Sequence, residues 1–173
     1  MIKKILLGSA LIASLSIPLS ARGFSVSLGA SQIDISNATG STAGATSETA
    51  LLVGATVQLF SVYDEHIEMN ALFGISNLST GYVGEIGTDL RYNINKSFTL
   101  GAKVAYSGYS VTGDAKTTDM SGVVYGGEFL YYLTPSNAFG LTYTTGSVVD
   151  KQVTSISSDI SQASIYYQYS FGK

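Results

Sequence analysis

The chain has 173 residues, enough for one domain or two small ones, with no cysteine and a single histidine. That excludes a disulfide framework and a thiolate metal site, and it leaves no second imidazole for a zinc or haem centre. Charged residues make up only 12% of the chain, about half the usual share, and the net charge of -3 argues against nucleic acid as a partner.

The first residues are of a different kind from the rest. Lys3 and Lys4 precede an apolar stretch from Ile5 to Ile17, and Leu19-Ser20-Ala21 is a small-residue cleavage pattern. This is the layout of a secretory signal peptide spanning residues 1–21. The apolar run is short for a membrane helix, which needs about 20 such residues. Losing the two lysines and no acid takes the net charge to -5, so residues 22–173 are expected to be a mildly acidic exported domain.

Beyond Ala21 the sequence alternates with period two and shows no helical period. Strand one sets Phe24, Val26, Leu28 and Ala30 against Ser25, Ser27 and Gly29. Strand two sets Leu51, Val53, Ala55, Val57 and Leu59 against Leu52, Gly54, Thr56 and Gln58. The third has Ile67, Met69, Ala71, Phe73 and Ile75 on its apolar face, and the fourth Tyr82, Ile86, Leu90 and Tyr92. Strands five and six carry Phe98 to Tyr106 and Tyr125 to Leu133 in the same way. Strand seven has Phe139, Leu141 and Tyr143; strand eight has Ala163, Ile165, Tyr167, Tyr169 and Phe171. Eight strands of about ten residues each are expected.

The connections alternate in length. Long Ser/Thr/Gly-rich loops are expected over 36–48, 112–120 and 149–159, with short turns near 62–65, 93–96 and 134–138. Only the third-to-fourth link, around 77–81, is shorter than this alternation wants. Aromatic residues gather on the apolar face beside the short turns, with a second group (Tyr82, Tyr106, Tyr125 and Tyr143) nearer the long loops. Two aromatic bands flanking an apolar belt match the two interfaces of a bilayer. A water-soluble sandwich also alternates, but it has no use for the export signal and the two bands together. The reading is therefore all-β: an eight-stranded antiparallel up-and-down transmembrane β-barrel. Two parity breaks stand out. Strand one flips after Ala30 to give Ile33 and Ile35, and strand five flips at Gly108 to give Tyr109 and Val111. Both fall toward the long loops and are read as rim bulges on strands that continue past the outer membrane surface.

The inward face carries Glu68, Glu85, Asp89 and Glu128 together with Arg91 and Lys103, and also His66. Turn centres guessed from the loops put Glu68 opposite Arg91, and Lys103 opposite both Gly87 and Glu128. Lys103 is then expected inside a ring of three carboxylates, because buried charges must be paired. Such a network either fixes the barrel as a salt-bridged plug or forms a polar path for water and ions. Catalysis finds little support: His66 is the only imidazole, and no catalytic, cofactor or metal residues are expected. Three Asn-x-Ser/Thr matches, at Asn37, Asn77 and Asn95, are chance in so Asn/Ser/Thr-rich a chain, and the glycine-rich stretches form no complete phosphate loop.

The architecture over residues 22–173 and the closing Tyr167-x-Tyr169-x-Phe171 resemble the small eight-stranded bacterial outer-membrane barrels of the opacity-protein and attachment-invasion type. In that resemblance the final aromatics look like the signal read by the barrel-assembly machinery, although Gly172 and Lys173 follow Phe171 here. The resemblance implies a non-enzymatic integral outer-membrane protein surrounded by lipid. Its loops 36–48, 112–120 and 149–159 would contact host surfaces or other extracellular ligands. A narrow porin using the charged lumen is the alternative.

Overall fold

The computed structural model describes residues 23–171 apart from 37–45, 64–65, 80, 113–116 and 152–156. The expected signal peptide lies outside the described residues, as do Gly172 and Lys173. The eight strands are β1 (Phe24–Ile35), β2 (Thr46–Val62), β3 (Ile67–Asn77), β4 (Gly81–Asn93), β5 (Phe98–Thr112), β6 (Thr117–Thr134), β7 (Asn137–Asp150) and β8 (Ser157–Phe171). Each pairs antiparallel with the next, and β8 pairs with β1 to close the barrel. The described residues contain no helix.

The strands are longer than expected, from 11 residues in β3 to 18 in β6. The expected loops are correspondingly shorter, since β2 already begins at Thr46, β6 at Thr117 and β8 at Ser157. Much of 112–120 and 149–159 is strand, and most of what remains of the three loops lies outside the described residues.

Alternation decides which way each side chain points, and closure decides how the strands line up. Following the pairings once round the barrel leads from Ser25 through Thr56, Leu72, Gly87, Ala105, Val124, Gly146 and Ile160 to Ile35. The path returns to β1 ten residues along, so the strands must tilt by about 40° from the barrel axis. The outer wall is apolar, with Leu28, Leu51, Ile86, Val104, Tyr125, Leu141 and Ile165 all more than half exposed. A closed sheet leaves no unpaired backbone edge, which is the condition for standing in hydrocarbon. Such a wall on a closed barrel belongs in a lipid bilayer.

The short turns are made by local side-chain chemistry. Asn95 Oδ1 accepts hydrogen bonds from the Ser97 and Phe98 amides at 2.8 and 3.0 Å, the Asx turn that asparagine favours. Asn137 Nδ2 donates to Thr134 Oγ1 at 2.5 Å across the turn that holds Pro135. Between β3 and β4 the Leu78 amide donates to the Gly81 carbonyl at 3.0 Å.

Candidate functional site: a polar lumen under an apolar plug

The parity breaks expected after Ala30 and at Gly108 do not occur. β1 pairs with both neighbours from Phe24 to Ile35 without interruption, and β5 likewise keeps one register with β4 and β6. Ile33, Ile35 and Tyr109 therefore point inward and are buried; the side chain of Val111 lies outside the described residues. The register slips sit at the opposite end, between Gln58 and Phe60 and between Tyr132 and Thr134.

What changes along the strands is polarity, not register. In the belt, apolar residues face out and polar ones in. Toward the long loops Asp34, Ser47, Thr49, Ser147 and Asp159 are exposed on the outside. They are joined to one another and to Gln32 by hydrogen bonds such as Ser147 Oγ to Asp159 Oδ1 at 2.7 Å and Thr49 Oγ1 to Gln32 Oε1 at 2.7 Å. Inside at the same end, twelve side chains from all eight strands and the β3–β4 turn, among them Ile33, Val83, Tyr109, Met120, Val148 and Ile160, form one apolar cluster. Val148 is 0% and Ile33 1% exposed. Apolar outside and polar inside suits lipid; the inverse suits water. The inversion marks where the barrel leaves the membrane.

Below this plug the lumen is polar in layers. Ser31 and Ser164 hydroxyls lie 2.7 Å apart, and Gln162 Nε2 donates to Ser31 and Ser76 at 3.1 and 3.3 Å. Next come the charges. Lys103 Nζ meets Glu85 Oε2 at 2.5 Å. Arg91 Nε donates to Glu128 Oε2 at 2.7 Å, and its Nη2 lies 3.3 Å from Glu128 Oε1 and 3.2 Å from Asp89 Oδ2. Asn70 Nδ2 donates to the other oxygen of Asp89 at 2.6 Å. Toward the short turns Glu68 accepts from Asn93 Nδ2 at 3.0 Å, and the Ser25 and Ser170 hydroxyls meet at 2.9 Å.

The six expected lumen charges all face inward, but their partners differ from the expectation. Glu68 stands opposite Arg91. Lys103, however, stands opposite Asp89 and Gly126, not Gly87 and Glu128. Each register is displaced by two residues, because the Asx cap at Asn95 moves the β4–β5 turn centre to Lys96 and the β5–β6 hairpin closes earlier than the loop length implied. Arg91, not Lys103, is the cation that gathers two carboxylates. His66 is also not a lumen residue. It precedes β3 in the turn, is exposed, and its Nδ1 lies 3.0 Å from the Asn93 carbonyl.

Tyr166 is the lumen residue whose part in the network sequence reasoning did not assign. Its hydroxyl donates to Glu128 Oε1, its backbone stands between Gly29 and Gly140 on the flanking strands, and its ring lies over Gly140. A Cβ on Gly140 would fall on the ring itself. The signal was present as two glycines in the neighbouring strands, but only the register puts them beside the tyrosine.

The space left among Ser27, Gly74, Glu85, Lys103, Gln162 and Ser164 is about 50 Å³, room for one or two water molecules. A wider depression of about 960 Å³ lies on the outer wall over Leu100, Phe129, Leu141, Tyr143 and Ile165, facing lipid.

The closing aromatics Tyr167, Tyr169 and Phe171 point outward, each 40% exposed. Phe171 packs against Phe24 and Tyr169, with centroids 5.6 and 4.8 Å away. Tyr167 packs edge-on against Phe139 at 5.9 Å.

No protein-family model matches the sequence, and no curated protein matches it. Solved structures do. The attachment invasion locus protein Ail of Yersinia pestis superposes with a TM-score of 0.56 at 9% identity, covering 86% of this chain and 99% of that one. Neisserial surface protein A superposes with a TM-score of 0.53 at 16% identity, over 84% of this chain and 96% of that one. Ail determined in a phospholipid bilayer nanodisc gives 0.50 at 11% identity over 87% and 99%. The fold is that of the small eight-stranded outer-membrane barrels.

Proposed function

We propose that the chain is a non-enzymatic protein of the bacterial outer membrane that acts through its exposed outer end, and not a porin. The observation that carries this reading is the plug: a conducting path would have to cross twelve packed apolar side chains that offer an ion no replacement for its hydration shell. The lumen charges are bound to one another at both ends of the network, so they serve to hold the strands in place. The one imidazole stands exposed outside the lumen, with its Nδ1 3.0 Å from the Asn93 carbonyl.

The ligand-facing surface is the outer rim, at the loop segments 36–48, 112–120 and 149–159. Ail has been seen in complex with the heparin analogue sucrose octasulfate. Among the described residues the rim holds Asp34, Glu48, Asp119, Asp150 and Asp159 against Lys151, so a sulfated polyanion is the wrong charge and a neutral or cationic surface the right one. The signal peptide over 1–21 would deliver the chain across the inner membrane. Tyr167, Tyr169 and Phe171 would present the aromatic strand end to the barrel-assembly machinery.

Planar-bilayer recording tests the central point. The expected result is a folded barrel with no resolvable single-channel steps; reproducible steps that change with Lys103→Ala would overturn it. Replacing residues 37–45 or 152–156, the parts of the loops at 36–48 and 149–159 that lie between strands, by short turns is expected to leave the barrel folded and to remove cell or ligand binding.

A further inference from the structure

The lower end of β2 differs from the other strand ends at the short-turn side. Leu59, Phe60, Val62 and Tyr63 follow one another with only Ser61 between them, and all four are exposed, Tyr63 by 78%. Successive residues of a regular strand point to opposite faces, but a slip in register after Gln58 sets Phe60 and Val62 opposite the outward-facing Met69 and Ile67, so they join Leu59 on the outer face, and Ser61 between them is exposed as well. The pairing explains why. β1 accompanies β2 only as far as Phe24 opposite Val57, with the Gln58 amide donating to the Gly23 carbonyl at 2.9 Å. From there to Val62 the neighbour of β2 among the described residues is β3 alone.

Two backbone features show that the segment is shaped and not frayed. The β2–β3 register slips between Gln58 and Phe60, which re-aims the side chains that follow. Tyr63 has a φ of 53°, a left-handed conformation that a bulky side chain rarely adopts and that persists only where the surroundings enforce it. The surroundings are in place. The His66 amide donates to the Tyr63 carbonyl at 3.0 Å and the Asn93 amide to the His66 carbonyl at 2.7 Å. The His66 ring lies 6.5 Å from that of Tyr92, so the turn is tied to the end of β4.

A strand end held this firmly while carrying four bare apolar side chains is suited to apolar surroundings. It continues the lipid-facing wall directly, through Val57 beside Phe24 and Val62 beside Ile67. It also extends that wall past the aromatic band of the inner side, into the depth where tyrosine and other amphipathic rings are favoured. We propose that the end of β2, with Tyr63 after it, is a foot that dips into the headgroup layer of the inner leaflet, with Phe60, Val62 and Tyr63 among the lipids. This rests on the membrane reading of the barrel.

The chain contains no tryptophan, so a single introduced one reports its own depth. Tyr63→Trp and, as a second position on the same foot, Phe60→Trp are folded into phosphatidylcholine vesicles carrying quenchers either near the headgroup or near the acyl-chain end. Ile86→Trp, in the middle of the belt, and Lys151→Trp, on the outer rim, serve as references. Both foot variants are expected to emit to the blue of Lys151→Trp and to lose most of their emission to the headgroup-level quencher, with Ile86→Trp losing most to the chain-end quencher. If Ile86→Trp is quenched while both foot variants match Lys151→Trp and no lipid quencher touches them, the foot is overturned and the strand end is a surface for a soluble partner. If Ile86→Trp itself is unquenched, the membrane reading fails, and the foot with it.

Discussion

Removing the Arg91 guanidinium is the sharpest test of what the lumen charges do. The side chain is 3% exposed and carries two hydrogen bonds to Glu128 and a contact to Asp89, whose own side chains are 7% and 2% exposed. At an effective dielectric constant of about 20, each charge pair about 4 Å apart attracts by about 4 kcal/mol, most of which is offset by having taken three charges out of water. Arg91→Met keeps the apolar stem but leaves both carboxylates buried with that desolvation uncompensated, a loss of about 3–5 kcal/mol. Arg91→Met combined with Asp89→Asn and Glu128→Gln removes the charges on both sides and recovers most of the loss, since neutral replacements of a buried ion network are often tolerated. Urea unfolding in phosphocholine micelles, followed by far-UV circular dichroism with heat-dependent gel mobility as the check on folding, measures both. A single variant within about 1 kcal/mol of the parent, or a triple variant as unstable as the single, would refute the view that these charges hold the barrel by satisfying one another.

The remaining predictions address the plug, the packing and the closing strand. Val148→Asp puts an unpaired carboxylate into a fully buried apolar site and is expected to cost more than about 3 kcal/mol, read as loss of the heat-resistant folded band. Gly140→Ala drives a methyl group into the Tyr166 ring and is expected to cost about 1–3 kcal/mol, while Gly108→Ala, with nothing within 4 Å of the added carbon, changes stability by less than about 0.5 kcal/mol; equal effects in the same unfolding assay would contradict the register between β7 and β8. Tyr167→Ser with Phe171→Ser is expected to lower the yield of assembled protein in the outer membrane while the purified chain still folds in detergent, which fractionation and refolding measure separately.

The number of strands and the face taken by the residues of the membrane belt were legible in the sequence, because alternation is a local property with period two. Phe24, Ile86, Tyr125 and Ile165 were readable as outward, and Glu85, Arg91 and Lys103 as inward, before any pairing was known. The partners of those charges were not. Whether Lys103 meets Gly87 or Asp89 depends on where a turn is centred, and one side chain in that turn, the Asn95 cap, shifts the register by two residues without disturbing the pattern of faces. The apolar run at Ile33 and Ile35 was visible too, but its meaning was not. A local reading makes it a break in register, since an inward isoleucine contradicts a lipid-facing barrel. Only closure of the sheet shows the register intact and the polarity inverted, because what an inward position requires depends on its height relative to the membrane, and height is set by the tilt and displacement summed round all eight strands.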